Sequence, residues 1–243
     1  MPSGRWFKSD ESLLEKIAIG SVGTKKVHED LARQGHSPIE LERGSTGFKI
    51  WKSIKIKRIR VPDILCTKCG VRIESRAKTK LEISMSHSTS DPDRGWDFGL
   101  SDDDYVALVQ CERAGPRPID WKPHDPVQYI RVKDLRNAYA KGLVVTEKPK
   151  GSQEGFELRL TWPSATASAD GQVTEVSPEQ IKYARQADRR SLLVRLKRTS
   201  ASLMPLAKTG DSVLESQILA SVVPVTSKNP CPGERSALDY LKL

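Results

Sequence analysis

Pro62-Asp63-Ile64-Leu65-Cys66-Thr67-Lys68-Cys69-Gly70-Val71-Arg72-Ile73-Glu74-Ser75-Arg76-Ala77-Lys78-Thr79-Lys80-Leu81-Glu82-Ile83-Ser84-Met85 is the stretch on which the fold turns. From Val71 to Met85 one set of positions is apolar or small: Val71, Ile73, Ser75, Ala77, Thr79, Leu81, Ile83 and Met85. The alternate set is charged or polar: Arg72, Glu74, Arg76, Lys78, Lys80, Glu82 and Ser84. A period of two sends successive side chains to opposite faces, so this reads as one long strand with a core side and a charged side. Before it, Cys66-Thr67-Lys68-Cys69-Gly70 is a turn whose glycine relieves the backbone. The stretch is therefore a hairpin that brings Asp63 and Glu74 side by side.

The charge of the chain concentrates around this hairpin. The 243 residues carry a formal charge of +9. Arg43 to Lys80 holds twelve basic residues, opposed by only Asp63 and Glu74, a local excess of ten. The remainder is close to neutral. Lys52, Lys55, Lys57, Arg58, Arg60 and Lys80, interleaved with Phe48 and Trp51, form the pattern expected of a surface that meets a phosphate backbone. An apolar content of 37% is too high for wholesale disorder, and no apolar run approaches the roughly 18 residues of a membrane helix. The N-terminus lacks the apolar segment of a secretory signal, and four cysteines in so long a chain are no disulfide scaffold. A cytoplasmic protein with an anionic partner and no membrane follows.

Upstream, Ser9 to Ile19 and Thr24 to Gln34 are expected as two helices punctuated by Gly20 and Gly23, with Gly35 closing the second. Ile39 to Glu42, Phe48 to Trp51 and Ile54 to Val61 are strand-like, and Asp104 to Cys111 is a buried-type strand. Pro116, Pro118, Pro123 and Pro126 mark a break, which places a boundary between residues 1–115 and 116–243. The second half is expected to be β-rich: a helix from Val132 to Lys141, a hairpin of Leu143–Glu147 with Phe156–Trp162, a helix opened by Ser177-Pro178-Glu179, and strands at Leu192–Leu196, Leu203–Leu206 and Ile218–Val225. Lys208-Thr209-Gly210-Asp211-Ser212-Val213 resembles the Gly-Asp turn of barrel-sandwich domains over about a dozen residues, though a simple hairpin explains it as well. Glu234 to Leu243 reads as a helix without a cap, which suggests further domains beyond residue 243.

Pro62-Asp63, then Glu74, then Arg76 and Lys78 on one strand face resemble the motif of the PD-(D/E)XK nuclease superfamily. The resemblance spans about residues 9–113. It implies an α/β (α+β) fold in which a restriction-endonuclease-like mixed sheet is flanked by helices and followed by a smaller β-rich domain. It also implies a magnesium- or manganese-dependent deoxyribonuclease, of the kind used in restriction or anti-phage defence and often a homodimer. Asp63 and Glu74 would hold the metal. The family's lysine two residues after the second acid is replaced by Arg76, which stays protonated and cannot act as a base. Lys78 lies roughly 13 Å along a regular strand from Glu74. Arg76 and Lys78 therefore compete for the third role. The alternative is a noncatalytic nucleic-acid-binding module with a degenerate site.

Cys66 and Cys69 have the spacing of half a zinc site. Cys111 and His87 are the candidates to complete it in this half of the chain. Glu15 is a further candidate ligand for the nuclease metal. His28, His36 and His124 stand alone and are expected at the surface.

Overall fold

The computed structural model describes residues 10–41, 62–148, 157–197, 201–228 and 230. Among them the chain is mixed α/β, mostly sheet with two helices. The strand-like segments expected at 48–51 and 54–61 and the terminal helix at 234–243 lie outside the described residues. So do Lys52, Lys55, Lys57, Arg58 and Arg60.

The N-terminal helix is single. α1 runs unbroken from Asp10 to Arg33 through both glycines expected to divide it. Gly23 is needed by packing rather than by a turn: a Cβ there would lie 2.7 Å from the Ala77 Cβ. The absent side chain lets the helix approach the sheet. The true terminator is Gly35, in the left-handed region at φ +86°, where the His36 amide returns to the Leu31 carbonyl at 3.0 Å.

The principal sheet follows the order β1 (Pro38–Glu40), β2 (Ile64–Cys66), β3 (Arg72–Lys78), β5 (Tyr105–Arg113) and β6 (Trp121–Pro123), with β7 (Gln128–Arg131) also paired to β5. β2 and β3 are antiparallel, whereas β3 and β5 are parallel. One face packs under α1: Val27 and Leu31 meet Ile64, Cys66, Ile73, Ala107, Val109 and Tyr129. Tyr129 donates a 2.7 Å hydrogen bond to the buried Asp30 on α1, which pins helix to sheet.

The long period-two strand is broken. β3 ends at Lys78 and β4 (Ile83–Ser88) starts a different sheet, paired with β9 (Glu157–Trp162), which in turn pairs with β8 (Val145–Glu147). Alternation continues in phase across the Thr79–Glu82 bend, and no glycine or proline marks it, so the pattern hides the break. As a result Ile83 and Met85 join Val106, Leu108, Trp162 and helix α2 (Val132–Ala140) in a second core on the sheet's other face.

The expected boundary at residues 115–116 does not separate the sheets. β5 pairs across it with β6 and β7, and β4 pairs with β9. Beyond β9, β10 (Ser164–Thr166), β14 (Met204–Pro205) and β16 (Ile218–Ser221) form one small sheet. β11 (Gly171–Val176), β12 (Gln180–Arg185), β13 (Ser191–Arg195) and β15 (Ser212–Val213) form another, and the two enclose a third core. The helix expected after Ser177 is instead a turn: Ser177 Oγ accepts from the Gln180 amide at 3.3 Å and the chain enters β12. A side chain that bonds its own turn competes with helix formation, which is why the same residues suit both readings.

Candidate functional site

Two groups of side chains gather at the β2–β3 hairpin, on opposite sides of it. The first contains the acids. β2 and β3 pair with Ile64 opposite Ile73, so Asp63, just before β2, and Glu74, just after Ile73, stand at the same open end of the hairpin. The Asp63 carboxylate accepts the Ser75 amide at 2.7 Å, which holds it against the backbone next to Glu74. Glu74 is only 7% exposed. It aligns with Val106 and Arg76 with Leu108 on the parallel neighbour, so both charges sit on the face away from α1.

Arg76 Nη2 lies 2.9 Å from Glu74 Oε1. The charge of the carboxylate is offset in place, at a site that water scarcely reaches. Arg76 Nε is itself buried without a hydrogen-bond partner among the described residues. Lys78 goes elsewhere. The pairing of β3 with β5 is continuous from Ile73 to Lys78, with no bulge to draw Lys78 back toward Glu74. Its ammonium donates to the Ser84 carbonyl at 2.8 Å and to Ser84 Oγ at 3.1 Å, which closes the bend between β3 and β4. Burial, helped by the nearby Arg76 and Arg159 cations, lowers its pKa to about 8.

The described basic residues divide by role. Arg72 makes a two-pronged bond with the buried Asp104, at 2.9 and 2.6 Å, and is a structural cation inside the fold. Lys80 is exposed on the bend. Glu15 is paired with Arg113 of β5, so the helix supplies no carboxylate to Asp63 and Glu74 from that position.

The second group is His36, Cys66 and Cys69. Their ligand atoms all lie within 4.8 Å of one another, and His36 Nδ1 is 3.4 Å from each sulfur. This is the one such group of three among the described residues. Its position follows from local backbone. The Gly35 turn throws the chain back from α1, β1 pairs Pro38 with Cys66, and His36 arrives over the cysteines. Gly70, at φ +68°, completes the hairpin by donating to the Cys66 carbonyl at 2.7 Å. Burial pushes the Cys66 thiol up, but the amides of Cys69 and Ser37, with the His36 and Cys69 side chains, outweigh it and bring the thiol down to about 6. Sulfur and imidazole donors suit zinc; magnesium takes oxygen.

His36, expected to stand alone at the surface, is half-buried against both cysteines, and neither residue expected to complete the cysteine pair does so. His87 lies on β4, its ring edge-on to Tyr139 at 6.3 Å. Cys111 is buried among apolar side chains, which raises its thiol to about 11. The spacing from His36 to Cys66 spans a long connection, and the β1–β2 pairing brings its ends together.

No protein-family model, curated protein or solved structure matches this chain. No helix among the described residues is long and apolar enough to cross a membrane.

Proposed function

We propose that the chain is a metal-dependent nuclease acting on DNA phosphodiester bonds, with its site at Asp63 and Glu74. The observation that carries this reading is the placement of the two carboxylates at the open end of the β2–β3 hairpin: Asp63, just before β2, accepts the amide of Ser75, the residue that follows the buried Glu74. The run of helix, Pro-Asp, acidic strand and buried strand on a mixed sheet supports it further.

The donor set is two carboxylates, the oxygen chemistry that a hard divalent cation takes, so Asp63 and Glu74 are the residues that would hold Mg²⁺ or Mn²⁺. Such an ion lowers the pKa of a bound water and offsets the charge of a phosphate. The chain's own residues divide the remaining work. Asp63 is held in place by the Ser75 N–H. Arg76, always charged and beside Glu74, is placed to grip a phosphate oxygen, but does not give up a proton near neutral pH. Lys78 is committed to Ser84 and keeps the bend closed. Of the two candidates for the third role, Arg76 is therefore the one at the carboxylates.

One observation favours the alternative of a noncatalytic DNA-binding module. The Arg76–Glu74 pair already neutralises the carboxylate that the metal would need. Cleavage of supercoiled DNA with and without Mg²⁺ or Mn²⁺ separates the two. The nuclease reading expects cleavage that Asp63→Ala and Glu74→Ala abolish while DNA binding survives. Salt-sensitive binding with no cleavage under any divalent metal would establish the alternative.

A further inference from the structure

We infer that His36, Cys66 and Cys69 bind a zinc-class ion that clasps the end of α1 to the β2–β3 hairpin. The inference does not depend on the nuclease reading, since it uses other residues and other chemistry.

Distance carries the argument. Zinc bonds of about 2.3 Å to sulfur and about 2.0 Å to nitrogen, set at a tetrahedral angle, place nitrogen and sulfur about 3.5 Å apart. His36 Nδ1 stands 3.4 Å from Cys66 Sγ and 3.4 Å from Cys69 Sγ. Both nitrogen–sulfur distances thus already match those of a tetrahedral site, and all three donors lie within 4.8 Å of one another. They come from two places in the chain 30 residues apart, which a hairpin turn alone does not require.

The surroundings are those of a thiolate site. The Ser37 amide donates to Cys66 Sγ at 3.4 Å. Both cysteines are buried, and His36 is half-buried. Groups that donate to ligand sulfur hold it in orientation and temper its charge, as outer-shell partners of metal ligands do. The ligating form of cysteine is the thiolate, so loading releases protons. Cys111 shares the same apolar cluster but stands apart from the three donors. The fourth corner belongs to a ligand other than these three.

The clasp has a structural consequence. Cys66 is three residues from Asp63 on the same run of chain, and His36 occupies the corner between α1 and β1, which pairs with β2. An ion there ties together the helix terminus, the first strand and the strand that delivers Asp63.

The test uses the full chain, purified reduced and without added chelator, then loaded with zinc and dialysed. Metal analysis should give about one zinc per chain. Loading with Co²⁺ in place of zinc should give a sulfur-to-cobalt charge-transfer band and the visible absorption of a tetrahedral centre. Cys66→Ser and Cys69→Ser should lose both signals, His36→Ala should weaken or recolour the cobalt spectrum, and Cys111→Ser should keep both. The cobalt spectrum of the unsubstituted chain does not depend on any variant folding. Failure of that chain to retain zinc after loading, or an unchanged charge-transfer band in the Cys66→Ser/Cys69→Ser double variant, would overturn the inference. Because zinc content is read without DNA, its outcome is independent of whether the chain cleaves.

Discussion

Replacing Gly23 by alanine should destabilise the protein, although the same change in an ordinary helix stabilises it. The added Cβ would sit 2.7 Å from Ala77 Cβ, 3.4 Å from Ala77 Cα and 3.6 Å from Ala77 N. Ordinary carbon contacts are about 3.5–4.0 Å, so the helix must retreat from β3 by nearly 1 Å. Alanine has no rotamer to change, so backbone must move. Overpacking of this kind costs about 1–3 kcal/mol, and the rigid partner argues for the upper half of that range. Helix propensity returns about 1 kcal/mol. The net loss is about 1–2 kcal/mol. Gly20, one turn earlier in α1, has nothing within 4 Å of its would-be Cβ. Gly20→Ala should therefore gain about 1 kcal/mol from propensity alone. Urea unfolding with a common m-value measures both. Adding Ala77→Gly to Gly23→Ala should recover part of the loss, read as a coupling energy from the double-mutant cycle. If both alanine variants are stabilised alike, α1 does not pack on β3 as described.

Three further outcomes follow from buried polar groups. Tyr129→Phe removes the donor that reaches the buried Asp30, and should cost about 1–3 kcal/mol by urea unfolding; a loss under about 0.5 kcal/mol would contradict that contact. Arg72→Ala leaves Asp104, 3% exposed, without its cation and should cost about 3–5 kcal/mol, whereas a surface-like loss below about 1 kcal/mol would place the pair in solvent. Lys78 is half-buried and its folded pKa of about 8 lies below the ordinary 10.5, so below pH 8 both states bind its proton and the cost of desolvating the charge is at its full value. Between about pH 8 and 10.5 only the unfolded state keeps the proton, so this residue's contribution to stability rises with pH. Unfolding midpoints taken across that window for the parent and Lys78→Met should show the rise in the parent and its loss in the variant.

What could be read from the sequence was whatever depends on neighbours in the chain. The Cys66–Gly70 turn, the hairpin that sets Asp63 by Glu74, the end of α1 at Gly35 and the Val132 helix all rest on local rules. What could not be read depends on contacts between distant segments. Gly23 looks like a helix breaker until Ala77 is beside it. Leu81, Ile83 and Met85 continue the alternation of Val71 and Ile73, yet belong to another core, because periodicity carries no mark of the bend at Thr79–Glu82. No local motif marks His36; the pairing of β1 with β2 brings it to Cys66 and Cys69. Arg72 is one of the twelve basic residues between Arg43 and Lys80, but its partner Asp104 lies 32 residues away and holds it in a half-buried ion pair.

The proposed activity rests on two carboxylates, and cleavage of supercoiled DNA by the purified chain in Mg²⁺ or Mn²⁺, run beside Asp63→Ala and Glu74→Ala, tests it most directly. Metal-dependent nicking by the parent, lost in both variants while each still shifts DNA in a binding assay, is the expected result. Cleavage that persists undiminished in both variants, or a parent that binds DNA and cuts under no divalent metal, would contradict it.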